Sequence, residues 1–285
     1  MLRYRMCCSG SLTCRRDDVR DSRTAAGSTR ILGAEVASRD ANPAGAVPAG
    51  VGGQEPQVAR HLKNIPNQLR NGVHGALGAR HGGMFAELHR SLGLQVLGLE
   101  GFLRLDQAHY LHNLVVRNPA VRTVLEIGFN AGHSSFVFLE ARPDVQVISF
   151  DLGEHGYVSA AKEFIDKRFP GRHQLVLGDS TVTVPQYRLA NPDAAFDLAL
   201  VDGGHDYDVA IADLRNCQPL VVKDGLVVMD DLLAWRSWGI GPVRAWTEVC
   251  EEGLVTPVEL IQDGRVVANV QRKSATAAWG LGRYT

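Results

Sequence analysis

Five apolar runs in this chain end in acid. "RTVLEIGF" carries Glu126 and opens into Gly128-Phe-Asn130-Ala-Gly132, "VQVISFD" ends in Asp151, and "HQLVLGDS" ends in Asp179-Ser180. "FDLALVDGG" ends in Asp202-Gly-Gly-His205 and "GLVVMDD" in Asp230-Asp231. Carboxylates can accept hydrogen bonds from ammonium and hydroxyl groups, or hold a hard cation through an all-oxygen set. An imidazole such as His205, with an unperturbed pKa of about 6.5, adds a proton acceptor that works near neutral pH. Whether these groups act together depends on whether the fold brings the five run ends to one place.

The pattern between them supplies that fold. The five runs are short, apolar and β-branched, and between them lie "NAGHSSFVFLEAR", "YVSAAKEFIDKRF" and "DVAIADLRNCQPLV", which read as helices. Apolar strands that alternate with helices form a parallel sheet covered on both faces. The expectation is an α/β, Rossmann-like doubly wound sheet of about seven strands. In "VTPVELIQDGRVVANVQRK" two strand-like runs flank Asp263-Gly264, so the sheet should finish in a C-terminal antiparallel hairpin. In such sheets ligands bind beyond the carboxyl ends of the strands. The acidic run ends are therefore the candidate site.

The rest of the chain reads as support. Residues 1–55 are rich in Ala, Gly, Ser and Arg without apolar periodicity and are expected to be a disordered tail. Residues 56–104 read as an irregular, partly helical cap, 105–273 as the catalytic domain and 274–285 as a C-terminal tail. Cys7, Cys8 and Cys14 have no second Cys/His group at zinc spacing. His109 and His112, on the helix "LDQAHYLHNLVVRNP", read as packing or surface residues, and Asp206 and Asp208 as N-terminal caps. Asp197 reads as a surface acid at a strand start, and Trp235 and Trp238 either wall an acceptor pocket or anchor their own loop.

Thirty Lys and Arg against thirty-one Asp and Glu give a formal charge of -1, which offers no electrostatic reason to expect nucleic acid or an anionic membrane as partner. No run reaches the length of a membrane span, and the expected location is cytoplasmic. The expected partner is a small hydroxylated acceptor molecule, and a homo-oligomer stays open.

The first strand end distinguishes two cofactors. A dinucleotide site wants Gly-x-Gly-x-x-Gly against a pyrophosphate, but "GFNAGHSS" supplies only Gly128 and Gly132, and Glu126 would repel phosphate. That weakens the reading as an NAD-dependent oxidoreductase. Glu126 suits an ammonium group, and the helix start at His133 and Ser134 offers amides and a hydroxyl to a carboxylate. Asp151 suits ribose hydroxyls, and Asp179 with Ser180 an adenine edge. An amino acid joined to adenosine is S-adenosylmethionine (SAM).

On E-x-G-x-x-x-G, "GDS" and "VDGGHDY", residues 105–273 resemble a class I SAM-dependent methyltransferase. Within that superfamily they are similar to the metal-dependent O-methyltransferases of the catechol and macrolide-sugar types. The resemblance implies that Asp202, Asp230 and Asp231 hold Mg²⁺, and that His205, where the catechol type has lysine and the macrolide-sugar type histidine, is the general base. It places the cofactor on Glu126, Gly128, Asn130, Gly132, Ser134, Asp151, Asp179 and Ser180. The implied reaction is O-methylation of a natural-product sugar or vicinal diol. The alternative is a SAM-binding protein with a regulatory role or non-methylating metal chemistry.

Overall fold

The computed structural model describes residues 83–271 and 275–285. The N-terminal tail, the first part of the cap and the cysteines at 7, 8 and 14 lie outside the described residues. Helix α1 (Ala86–Leu92) runs into a 3₁₀ turn (Gly93–Gly98), and α2 (Leu105–Arg117) leads into the sheet. Then follow β1 (Thr123–Ile127), α3 (His133–Ala141), β2 (Gln146–Asp151), α4 (Tyr157–Arg168) and β3 (His173–Leu177). The second half holds α5 (Ser180–Ala190), β4 (Phe196–Val201), α6 (Tyr207–Cys217), β5 (Val221–Met229) and α7 (Ile240–Glu251). It closes with β6 (Val255–Gln262), β7 (Arg265–Val266) and β8 (Ala278–Tyr284).

The strand order is β3-β2-β1-β4-β5-β8-β6-β7. The first five strands are parallel, and β8 pairs antiparallel with both β5 and β6. This is the expected doubly wound α/β sheet. The hairpin at Asp263-Gly264 is present as β6 and β7, with Asp263 and Gly264 both at positive φ. Winding reverses between β1 and β4, so the carboxyl ends of β1 and β4 form the crevice.

The segment 274–285 is not a tail. Residues 278–284 form β8, the strand that joins the parallel sheet to the hairpin. Gly280 and Gly282 hid it, because glycine normally weakens a strand. Here a Cβ on Gly280 would lie 2.9 Å from the Trp246 ring, and one on Gly282 would lie 3.0 Å from it. The indole of α7 fills the space that side chains would need.

Side chains alternate across the sheet. Val124 and Val147 join one apolar layer with Leu88 of α1, Leu111 of α2, Phe138 of α3 and Ile165 of α4. Leu125, Ile127, Phe150 and Val201 join the other with Leu214 of α6 and Trp246 of α7. The cap residues Phe85, Leu88 and Leu92 are fully part of the first layer. Asp197 ties the start of β4 to β1, because its Oδ2 accepts from the amides of Arg122 and Thr123 and from the Thr123 hydroxyl.

Candidate active site

The carboxyl ends of β1 to β5 surround a cavity of about 610 Å³. Gly128, Asn130, Ser134, Asp151, Asp179, Ser180, Asp202, His205, Asp230 and Asp231 all line it. Glu126 and Gly132 are not among its lining residues. Strand alternation explains Glu126. It shares a face with Val124, so its side chain passes beneath α3 instead of into the crevice. There it is fully buried and accepts hydrogen bonds from the hydroxyls of Ser134, Ser135 and Ser149. Burial raises its pKa against those three donors. The expectation that Glu126 meets the cofactor's ammonium is corrected: it holds the first turn of α3. The Ser134 hydroxyl, expected to face a carboxylate, is committed to Glu126.

The glycines serve ends other than making room for a ligand. Gly128 has φ of 92° and a Cβ there would lie 1.9 Å from the Asp202 carbonyl oxygen, so glycine is what lets β1 and β4 end side by side. The ladder continues past the strands: Gly128 N donates to Phe150 O, Asp202 N to Ile127 O and Asp230 N to Val201 O. Gly132 has φ of 76° and caps α3 over the Phe129 ring. A Cβ on Gly203 would press on Ile127 at 2.8 Å, and one on Gly204 on Val209 at 2.8 Å. Both line the cavity, but their missing side chains make space for protein.

On the β1–β3 side, Asp151 accepts from Asn130 N and Gly153 N, each at 2.8 Å, which locks the β1 and β2 loops to each other. Asn130, at φ of 50°, donates from Nδ2 to the Glu100 carbonyl. Asp179 caps α5 through Thr181 N and also accepts from the Thr181 hydroxyl. Asp206 heads α6 but makes no side-chain cap.

The other side is electrostatically different. Burial and repulsion from Asp230, Asp231 and Glu126 push the Asp202 carboxyl well above the usual range. Burial and Asp231 push Asp230 up to about 7. Asp231 sits at φ of 57°, which lets its amide donate to Asp230 Oδ1 while its own Oδ2 pairs with His205 Nε2 at 2.8 Å. That pair raises the His205 pKa against partial burial, and the side chain remains 49% exposed. Among the described residues no three His, Cys, Asp or Glu side chains are gathered closely enough to hold a metal ion. The closed three-carboxylate set expected from Asp202, Asp230 and Asp231 is therefore not assembled here, because Asp231 turns to His205.

One residue, Gln107, escaped the sequence reading, and the cap is expected to contribute to acceptor recognition. Gln107 of α2 is buried and donates from Nε2 to Asp230 Oδ2 at 2.7 Å. Residues 100–103 wall the cavity, held by Asn130 and by the Tyr157 hydroxyl on Glu100 N, with His155 Nε2 3.1 Å from Glu100 Oε2.

Comparisons with known proteins bear on this geometry. A family model described as a methyltransferase domain matches residues 125–232, from β1 to just past Asp231. No match was found among curated protein sequences. Among solved structures, the chain is similar to an O-methyltransferase from Bacillus cereus in complex with SAH, at 17% identity and a TM-score of 0.55, over 69% of this chain and 90% of that one. It is similar also to the O-methyltransferase TomG of Streptomyces achromogenes in complex with SAM, at 20% identity and a TM-score of 0.53, over 78% and 99%. Such distant likenesses speak for the fold, and the matched segment holds the strand ends that line the cavity. Residues 125–232, which carry those strand ends, thus match a methyltransferase domain.

Proposed function

We propose that this protein is a SAM-dependent O-methyltransferase that uses Mg²⁺ and acts on a small molecule bearing neighbouring hydroxyls. The observation that carries the metal reading is the crowding of buried acids: burial with the charges of Asp230 and Asp231 holds Asp202 high, and burial with Asp231 holds Asp230 high. Oxygen-only donors that repel one another fit a hard divalent cation. Asp202 and Asp230 would hold it, while Asp231 keeps its pair with His205. Bound Mg²⁺ would lower the pKa of the reacting hydroxyl and anchor its neighbour.

The chain's own residues do the rest. Gln107 fixes the orientation of Asp230. Asp231 holds His205 through Nε2, leaving Nδ1 to take the hydroxyl proton. The acceptor oxygen then bonds to the sulfonium methyl as the carbon–sulfur bond breaks, and the electron pair stays on sulfur. Holding both reactants in one cavity supplies much of the acceleration. Asp151 and the Asp179-Ser180 turn line the part of the cavity proposed for the ribose and adenine. A histidine base favours sugar hydroxyls over catechols as acceptors. The protein is proposed to work in the cytoplasm, and no helix among the described residues is long and apolar enough to cross a membrane.

The test has two arms. Methyl transfer from methyl-labelled SAM is measured into a panel of vicinal diols, with EDTA and after Mg²⁺ is restored, and Mg²⁺ alone is titrated while thermal unfolding is followed. Loss with EDTA, recovery with Mg²⁺ and a Tm raised by Mg²⁺ are the expected results. Transfer indifferent to chelation, with no Tm response, removes the metal. His205→Ala should lower transfer about 100-fold without changing SAH affinity.

A further inference from the structure

Asp213 is a buried acid that the chemistry above does not use. It lies on the inner face of α6, fully buried among Ala210, Leu214 and Cys217. Neither carboxyl oxygen makes a well-formed hydrogen bond among the described residues, and the donor within reach is the Ser180 hydroxyl, which favours the charged carboxylate. An unmet carboxyl in the interior is costly and is normally replaced by an apolar side chain of similar size. Its position is also specific. Oδ2 sits directly behind Gly203, where an added Cβ would come within 3.2 Å of it. Ser180 and Asp179 lie close enough to act on its charge, and burial pushes it up to about 7. Gly203 and Ser180 both line the cavity, one beside Asp202 and the other at the start of α5. Asp213 thus lies behind two turns that face the cavity from different strands.

We propose that Asp213 is a positioning residue for the cofactor: its carboxyl engages the Ser180 hydroxyl from behind and sets the Ser180 turn against Gly203 in the spacing that the nucleoside needs. The inference rests on the reading that Ser180 contacts the cofactor. A polar group next to Ser180 and Gly203 is retained despite its cost because the serine hydroxyl already lies within its reach and cofactor binding aligns the two. A carboxyl that only filled space would be improved by leucine.

The test is a double-mutant cycle on the full chain, read by calorimetry with SAH and by thermal unfolding. Asp213→Leu should weaken SAH about tenfold or more while leaving the Tm unchanged or higher. Asp213→Asn, which keeps a hydrogen-bonding head, should stay within about threefold of the parent. Ser180→Ala should weaken SAH comparably, and the double variant should be no weaker than either single one. Leucine with parental SAH affinity overturns the proposal, as do strictly additive losses. Ser180→Ala without effect, beside a large loss in Asp213→Leu, removes the underlying reading that Ser180 meets the cofactor, and with it this inference. If leucine prevents folding, Asp213→Ala takes its place in the cycle with the same outcomes.

Discussion

The two halves of the cavity handle their acids in opposite ways. On the β1–β3 side each carboxylate has partners within the chain: Glu126 takes three serine hydroxyls, Asp151 two backbone amides, and Asp179 the first turn of α5. On the β4–β5 side Asp202 and Asp230 share a confined space with Asp231, and their pKa values rise. Cationic relief there comes from His205, which pairs with Asp231 and only partly offsets the rise of Asp230. Carboxylates bonded within the chain build a wall that stands before anything binds. Carboxylates that repel one another store an unfavourable term that a ligand can release. The β1–β3 half, proposed for the cofactor, is preformed, and the β4–β5 half, proposed for metal and acceptor, is completed by what enters it.

The contrast is sharpest under one chemical change made on both sides. Asp202→Asn should lower methyl transfer more than about 100-fold if Asp202 holds the proposed metal, since loss of such a group exceeds the 10–100-fold typical of an outer partner. The same variant, without metal, should melt at a higher temperature than the parent because one of three clustered acids loses its charge. Gln107→Leu comes next: it leaves Asp230 unoriented and should weaken Mg²⁺ about 10–100-fold, read as the concentration needed for half the Tm shift. Glu126→Gln should be destabilising by about 1–3 kcal/mol, because an amide cannot accept from all three serines at once. A stabilising Glu126→Gln, or a destabilising Asp202→Asn, would erase the distinction between the halves.

Much of this division was visible before any coordinates. Apolar runs ending in acid gave the sheet, and the order of the run ends gave the crevice, because a parallel sheet exposes all its carboxyl ends together. Glu126 was misplaced although its parity with Val124 was available: in a two-residue repeat it must share that face, and "HSS" in the following helix offers the hydroxyls to meet it. Gln107 was hidden for another reason. In "LDQAHYL" a polar residue beside the apolar stripe of a helix looks like any surface glutamine, and only the tertiary packing of α2 brings it to Asp230 at the end of β5. The tail at 274–285 failed because Gly280 and Gly282 become strand residues only once Trp246 covers them. The turn of Asp231 toward His205 depends on a left-handed backbone that its residue type permits but does not announce.

The gentlest probe of the preformed half is pH. His173 lies at the start of β3, its Nε2 2.9 Å from the Ser149 hydroxyl that also serves Glu126, and its ring stacks on Phe129 at 5.0 Å. Burial, with Lys162 nearby, lowers its pKa to about 4. In the unfolded chain it takes a proton near pH 6.5, and in the folded protein only near 4. Between those values the unfolded state binds more protons, so stability is complete above about pH 6.5, is lost as the pH falls toward 4, and drops no further on this account below it. The loss is under about 1 kcal/mol at pH 6 and grows to about 2–3 kcal/mol at pH 4. His173→Asn removes that dependence, so urea unfolding followed from pH 7 to 4 should fall less steeply in the variant. Parallel slopes would mean that His173 is protonated in the folded protein, and that the hydrogen bonds around Glu126 are looser than those of a wall built in advance.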